Sequence, residues 1–183
     1  EVIHLSKIKK EIEIHSSLFA DSFDKLIKLH DKYEFVEKLK EKGMSYPRTY
    51  LEQQNSDLAG EIILKKRFSR FGSDVRKIHA ESIGRKNSGD ILQELIKGQE
   101  YSLYTIVSNG KLSAWSLYPK AYSINGGATL LFEHEHSELI LEWINLFIKS
   151  EKYHGQYSFD LIIRDGKVYA CLLYTSDAAD DSL

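Results

Sequence analysis

Two dipeptides, Asn109-Gly110 and Asp165-Gly166, restrict the fold of the second half of this chain more than any other sequence feature. Each lies between runs rich in β-branched and aromatic residues, at 101–107 and 111–118 for the first dipeptide and at 157–163 and 167–170 for the second. Asn-Gly and Asp-Gly between such runs favour two-residue turns that join antiparallel strands. The sequence therefore predicts two β-hairpins in this half of the chain.

Helical patterns occur in both halves of the chain. Segment 22–42 roughly follows the helical period, and Asp31 and Glu34 within it have capping-box spacing, which is consistent with a second helix that starts there. Segment 137–152 has one apolar stripe and is the clearest helix. Residues 1–20 have only a weak apolar pattern, which is consistent with a strand or with part of an incomplete preceding domain. Together with the hairpins, these segments predict an α+β fold.

The composition argues against several classes of protein. The 183 residues suit one large domain, or one and a half small ones. With 25 basic and 27 acidic residues the net charge is −2, so no basic excess favours nucleic acid or an anionic membrane as a partner. No apolar run has the length that spans a bilayer. The single cysteine, Cys171, argues against an internal disulfide framework and favours a reducing, cytoplasmic environment.

Segment 61–101 combines the residue types that a nucleotide site needs. An apolar run ends in Lys65 and Lys66, and a loop with arginines and Gly72 follows. A second apolar run has Glu94 and Glu100 close to it. Cations could bind the phosphates, the apolar residues the base, and a carboxylate the ribose. In the alternative interpretation, the lysines end an exposed strand, the arginines form a solvated rim and Glu100 is an edge-strand charge.

Four motifs lie in sequence order over about residues 29–170: LHDKYEFVEKLKEKGMSYPRTY, IILKKRFSRFGSDV, LQELIKGQEYSLY and GQYSFDLIIRDGKVYA. Together they resemble the ATP-grasp superfamily, and more closely its carbamoyl-phosphate-synthase-like carboxylate ligases. LHDKYEFVEKLKEKGMSYPRTY resembles the family's lysine-bearing helix and the segment after it. IILKKRFSRFGSDV resembles its central lysine strand and phosphate loop, and LQELIKGQEYSLY its adenine hinge and ribose-binding glutamate. GQYSFDLIIRDGKVYA resembles its metal-binding hairpin.

The resemblance implies a role for individual residues of this chain. The implied ATP-binding residues are Lys32 and Lys65 for the phosphates, Ser69, Gly72 and Ser73 in the loop over the phosphates, Glu94, Leu95 and Ile96 in the adenine hinge, and Glu100 for the ribose. Asp160 is the implied Mg²⁺ ligand. Family members usually have proline after the second lysine, where this chain has Lys66, so the loop departs from the family pattern. His134 and His136 alternate in FEHEH, but we interpret them as an exposed strand end rather than a metal site.

The resemblance also implies an organisation and a reaction. Residues 1–28 would be the remnant of a preceding domain or a linker helix, about 32–86 a smaller lid subdomain, and 87–170 part of a larger one, with ATP clasped between the two. The family reaction joins a carboxylate to an amine or a thiol through an acyl phosphate, with ATP and Mg²⁺. A nucleotide-binding module without catalysis and an interaction domain without ATP stay as alternatives.

The C-terminal segment departs from the family pattern. After VYA, where the family continues with a glutamate and an asparagine that complete the metal site, this chain has Cys171, Leu172 and Leu173. CLLYTSDAAD resembles the conceptual translation of a transposase adapter used in sequencing-library preparation, so we expect the natural sequence to stop near Ala170 and 171–183 to be artefactual. Cys171 would then give no information about the redox environment. With half a metal site, the 183-residue chain is expected to be inactive.

Overall fold

The computed structural model describes residues 2–51, 57–69, 75–83, 89–120 and 133–174. The helices in these ranges are α1 (Val2–Lys7), α2 (Lys9–Ile12), α3 (Phe23–His30), α4 (Lys32–Glu41) and α5 (Glu138–Lys149), with a short 3₁₀ turn at Ala80–Ser82. The strands are β1 (Thr49–Leu51), β2 (Glu61–Lys66), β3 (Arg76–His79), β4 (Asp90–Glu94), β5 (Gln99–Ser108), β6 (Lys111–Pro119), β7 (Gly155–Arg164) and β8 (Lys167–Tyr174). No helix in the described ranges is long and apolar enough to cross a membrane.

Four strands form a first antiparallel sheet in the order β1-β4-β2-β3. The sequence also predicts a return strand at 75–79 after the Lys65 strand. This prediction is confirmed, because β3 pairs with β2 from Leu64↔Arg76 to Glu61↔His79. On its other side β2 pairs with β4, so Ile63 lies opposite Gln93 and Lys65 opposite Ile91. The first sheet therefore extends through Glu94, beyond the subdomain boundary predicted near residue 86.

The second antiparallel sheet has the order β6-β5-β7-β8, and both predicted hairpins are confirmed. Asn109 and Gly110 have φ of 49° and 78°, and Asp165 and Gly166 have φ of 51° and 69°. Two successive residues with positive φ give a turn whose twist matches that of the flanking strands, which is why Asn-Gly and Asp-Gly are favoured there. The sequence also predicts a turn at 125–127 and a strand at 128–132, and both lie outside the described residues.

Segment 22–42 forms two helices, and the second one starts where the capping-box spacing indicates. The Asp31 side chain accepts hydrogen bonds from the backbone N–H groups of Tyr33 and Glu34, at 3.1 and 3.3 Å. Arg67, just after β2, binds the same carboxylate with Nε–Oδ1 and Nη2–Oδ2 distances of 2.7 and 2.6 Å. Asp31 therefore joins the start of α4 to the end of the central strand.

The larger hydrophobic core lies between the helices and the second sheet. Phe35 of α4 packs edge-on against Phe147 of α5, which in turn contacts Phe159 of β7. Helix α4, predicted in the smaller subdomain, thus contributes to the core of the second sheet. Ile3 in α1 is buried in the same core, so the N-terminal segment is helical and packed here rather than a strand.

Candidate functional site

A cavity of about 190 Å³ lies between the two sheets. Its wall contains residues of β2, β3 and β4 from the first sheet and residues of β5, β7 and β8 from the second. The residues predicted from sequence that line this cavity are Lys65, Glu94, Leu95, Ile96, Glu100 and Asp160. Six positions spread over almost 100 residues of sequence therefore meet at one place.

Lys65 is the most deeply buried charged group in the cavity wall, with 3% of its surface exposed. Its ammonium donates to Gln93 Oε1 at 2.8 Å and to the carbonyl oxygen of Cys171 at 3.0 Å. Burial lowers the pKa of Lys65 from 10.5 to about 8, because removal from water disfavours the charged form. Neighbouring Lys66 is exposed. The two lysines at the end of β2 thus differ in exposure, and the alternative interpretation of Lys65 as part of an exposed strand end does not hold.

Gln93 is a site residue that the sequence reasoning missed. Its Oε1 accepts from Lys65, while its Nε2 donates to Thr49 Oγ1 at 2.8 Å, and that hydroxyl donates to the carbonyl of Pro47 at 2.8 Å. This chain of hydrogen bonds fixes which way the amide points and so holds an acceptor toward the lysine. The sequence signal was a glutamine within the apolar run ILQEL, where a polar side chain needs a buried partner.

Lys32 lies beside the cavity rather than in its wall. It is the first residue of α4, with 8% of its surface exposed, and its Nζ lies 2.8 Å from the Ser69 carbonyl and 3.2 Å from Ser69 Oγ. Lys32 is close enough for its charge to contribute to lowering the pKa of Lys65, after the larger effect of burial. The structure thus joins Lys32 to Ser69, whereas Gly72 and Ser73 lie outside the described residues.

The predicted hinge begins at the last residue of β4. The Glu94 backbone N–H donates to the Arg48 carbonyl at 2.8 Å, and its carboxylate lies 3.3 Å from Arg48 Nε. The Glu94 N–H therefore already has an acceptor. Contacts between the hinge and a ligand would come from the Glu94 carbonyl and from Leu95 and Ile96. These two residues follow the strand and line the cavity.

Gly98 allows the chain to return toward the second sheet. A Cβ at this position would overlap the carbonyl oxygen of Ile163 and lie 2.8 Å from Ile162 Cγ2. The close approach places Glu100 opposite Ile162 at the start of β5, with Glu100 in the cavity wall. Its carbonyl oxygen accepts from the Lys120 backbone N–H at 2.9 Å, so the end of β6 is tied to the same point.

Asp160 lies on β7, on the side of the cavity formed by the second sheet. Its Oδ1 is 2.7 Å from Lys120 Nζ and accepts from Ser102 Oγ at 3.3 Å. Across the β7–β8 ladder, the residue opposite Asp160 is Leu172, which has no ligand atom in its side chain. Lys120 is the second site residue that the sequence reasoning missed, and no local pattern marks it.

The donor groups in the cavity fit a nucleotide polyphosphate and one Mg²⁺. The Lys65 ammonium and the nearby Lys32 ammonium suit phosphate oxygens, and the apolar residues after β4 suit a base. Asp160 has the hard oxygen donors that Mg²⁺ prefers, and this ion usually takes one or two carboxylates and keeps several waters.

Among the described residues, no three His, Cys, Asp or Glu side chains cluster as a metal site. His134 and His136 instead lie near Trp115, with ring centroids 4.8 and 5.7 Å away.

The fold and the cavity define an α+β protein with a cleft between two antiparallel sheets that is lined by both lysine and carboxylate side chains. The family model of the ATP-grasp domain matches residues 29–171, so the chain belongs to the ATP-grasp family. This match confirms the resemblance predicted from the four motifs.

Solved structures share this fold at low sequence identity. An L-amino acid ligase from Bacillus licheniformis superposes with a TM-score of 0.69 at 16% identity, over 98% of this chain and 48% of that chain. The biotin carboxylase domain of 2-oxoglutarate carboxylase from Hydrogenobacter thermophilus, solved with MgADP, ADP and bicarbonate, gives 0.71 at 11% identity, over 98% and 47%. The chain thus spans about half the length of these structures.

One curated protein also matches by sequence. It is the mitochondrial translation factor GUF1 homolog of Plasmodium falciparum, 23% identical over 192 residues, which cover all of this chain and 17% of that protein. An identity this low over so small a share of the other protein does not indicate a shared function. The family model and the fold, which agree with each other, are the basis for the assignment.

Proposed function

We propose that this chain binds ATP in the cleft between its two sheets and forms the nucleotide-binding part of an ATP-dependent ligase. The observation that supports this most is the buried Lys65 ammonium in the cavity wall, whose hydrogen-bond partners among the described residues are neutral oxygens. A buried cation without a counter-charge in contact is costly, and a phosphate group would offset that cost.

The proposed contacts follow the order of the cavity wall. Lys65 and Lys32 bind phosphates, with Ser69 and the predicted loop residues Gly72 and Ser73 beside them. The backbone at Glu94, Leu95 and Ile96 holds the adenine, and the Glu100 carboxylate accepts hydrogen bonds from the ribose hydroxyls. Asp160 would hold Mg²⁺, which would supply positive charge that offsets the negative charge of the phosphates.

The proposed reaction of the whole protein has two steps. In the first step, a carboxylate oxygen of the substrate bonds to the γ-phosphorus of ATP, and the bond between this phosphorus and the bridging oxygen of the β-phosphate breaks. The products are an acyl phosphate and ADP. An amine or thiol then bonds to the acyl carbon, loses a proton, and inorganic phosphate leaves. Lys65 would contribute to the first step by placing a buried positive charge beside the phosphates.

For the 183-residue chain itself, we propose nucleotide binding without turnover. Leu172 stands opposite Asp160 on β8, so the strand that pairs with β7 adds no second carboxylate there. This arrangement also favours the second candidate function, a nucleotide-binding module that does not ligate. Magnesium-dependent release of phosphate from ATP by the purified chain, at rates above those of an Asp160→Asn variant, would contradict the proposal of inactivity.

The central experiment compares two adjacent lysines. We expect Lys65→Ala to weaken binding of a non-hydrolysable ATP analogue at least about tenfold, because a charged hydrogen bond contributes about 1.5–3 kcal/mol. Lys66→Ala is the matched control: it removes the same charge one residue away on the exposed side of β2, and its affinity should stay close to wild type. Isothermal titration calorimetry with Mg²⁺ present gives both values. Equal affinities of wild type and Lys65→Ala would refute the proposed role of the cleft.

A further inference from the structure

The ion pair between Lys120 and Asp160 is a feature of the cavity that nucleotide binding alone does not explain. Their Nζ–Oδ1 distance is 2.7 Å, and the two side chains are 23% and 25% exposed. Both residues line the cavity that contains Lys65. The pair is thus partly shielded from water and placed at the carboxylate that would bind a metal ion.

The backbone holds Lys120 in reach of Asp160. Lys120 directly follows the last residue of β6, and its backbone N–H donates to the Glu100 carbonyl at 2.9 Å. Strand β5, which contains Glu100, also contains Ser102, whose hydroxyl donates to Asp160 Oδ1 at 3.3 Å. Lysine has a flexible four-carbon stem, so its ammonium can leave Asp160 while its backbone stays fixed.

Lys120 and Ser102 both contact Oδ1 of the carboxylate. Within the described part of the chain, no hydrogen bond or ion pair is found at Oδ2, so this oxygen remains open to a ligand. A divalent cation at Oδ2 would lie only a few ångströms from the Lys120 ammonium. Two like charges at this separation repel strongly in a partly buried site.

We propose that Lys120 is a built-in counter-ion of Asp160, which a divalent cation must displace before it binds this carboxylate with full affinity. The proposal rests on the proposed function, in which Asp160 is the metal ligand. In the metal-free cleft the ammonium balances the carboxylate and keeps the side chain in place. The same pair lowers the affinity of the cleft for a metal ion that arrives without nucleotide.

The test uses Mn²⁺ alone, detected by the electron paramagnetic resonance signal of the free ion, on the full chain. Lys120→Met should raise the Mn²⁺ affinity by about tenfold, which corresponds to about 1.4 kcal/mol. Lys120→Arg retains the charge and should stay close to wild type. Lys77→Met is the matched control because Lys77 also lines the cavity but lies on β3, in the first sheet. It should change the affinity much less than Lys120→Met.

The outcomes separate this inference from the proposed function. Equal Mn²⁺ affinities of wild type, Lys120→Met and Lys77→Met, including the case in which none of them binds, would overturn the counter-ion role. An equal rise in both methionine variants would also overturn it, because it would show an effect of net charge only. Adding Asp160→Asn to Lys120→Met should abolish the gain in Mn²⁺ affinity that Lys120→Met alone produces. If Asp160→Asn leaves Mn²⁺ binding unchanged, Asp160 is not the metal ligand, and the proposed function fails at that residue.

Discussion

Nucleotide affinity should fall as the pH rises through 8, because of Lys65. Burial lowers the pKa of this lysine to about 8. The ammonium is then roughly nine-tenths charged at pH 7 and roughly one-tenth charged at pH 9. A phosphate in contact with it stabilises the charged form, so the pKa of Lys65 is higher in the complex than in the free chain.

The sign of the pH effect follows from proton linkage. Between pH 8 and the pKa of the complex, the bound state holds a proton that the free state has lost, so binding takes up a proton. The association constant should therefore decrease by up to about tenfold per pH unit in this range, after a decrease of only about twofold between pH 7 and 8. The Lys65→Met variant lacks the titrating group and should bind weakly with no such slope.

Isothermal titration calorimetry of a non-hydrolysable ATP analogue from pH 7 to 9.5 measures this slope. Repeating the titrations in buffers with different ionisation enthalpies counts the protons taken up on binding. Lys66→Ala should retain the slope, since Lys66 is exposed. A wild-type affinity that is constant over this range, or a slope that persists in Lys65→Met, would refute the argument that the buried ammonium binds the phosphate.

Three further predictions concern stability and are checked by chemical unfolding. The pKa of Lys65 is lower in the folded chain than in the unfolded chain, so the unfolded state binds more protons between about pH 8 and 10.5. The free energy of unfolding of wild type should therefore rise by up to about 3 kcal/mol across this pH range relative to that of Lys65→Met. Gly98→Ala should destabilise the chain by about 2 kcal/mol or more, because its Cβ would overlap the Ile163 carbonyl oxygen. Asp31→Ala should cost about 2–3 kcal/mol, since it removes both the cap of α4 and the partner of Arg67, whereas Asp31→Asn retains the cap and should cost less.

The local features of the fold were predictable from the sequence. Asn109-Gly110 and Asp165-Gly166 form their turns because the backbone geometry they favour is a property of two adjacent residues. The start of α4 at Asp31 was likewise predictable, since a carboxylate that caps a helix acts on the next turn of the same chain.

The contacts between distant segments were not predictable in the same way. The pairing of Lys120 with Asp160 joins residues 40 positions apart, and it depends on the register of β5 against β7 and on the end of β6. The placement of Leu172 opposite Asp160 depends on the β7–β8 register, which shifts by an irregularity between Asp160 and Leu161. The Asp165-Gly166 turn sets the β7–β8 register beside it, but neither the irregularity between Asp160 and Leu161 nor the β5–β7 register is encoded in a local motif. The sequence could therefore suggest Asp160 as a ligand but not its neighbours.

The interpretation of 171–183 as a foreign tail stays a prediction. The structure continues β8 through Tyr174, and Leu173 is buried in the larger core. An apolar segment that follows a strand can extend the ladder whatever its origin, because ladder hydrogen bonds use only the backbone. Sequence from an independent copy of the gene beyond Ala170 would test this prediction, since a glutamate in place of Leu172 or its neighbours would complete the family pattern.

The cations around the cleft differ in how their charge is balanced, and this difference predicts where an anion binds first. Arg67 is held by the carboxylate of Asp31, and Lys120 by that of Asp160, so each already has an opposite charge in contact. Lys65 is more buried than either, and its contacts within the described residues are to neutral oxygens of Gln93 and Cys171. A phosphate beside Lys65 gains the full attraction of a desolvated cation, whereas beside Lys120 it must first compete with a carboxylate. The phosphates of a nucleotide should therefore be positioned by Lys65, and Lys120 should act through Asp160.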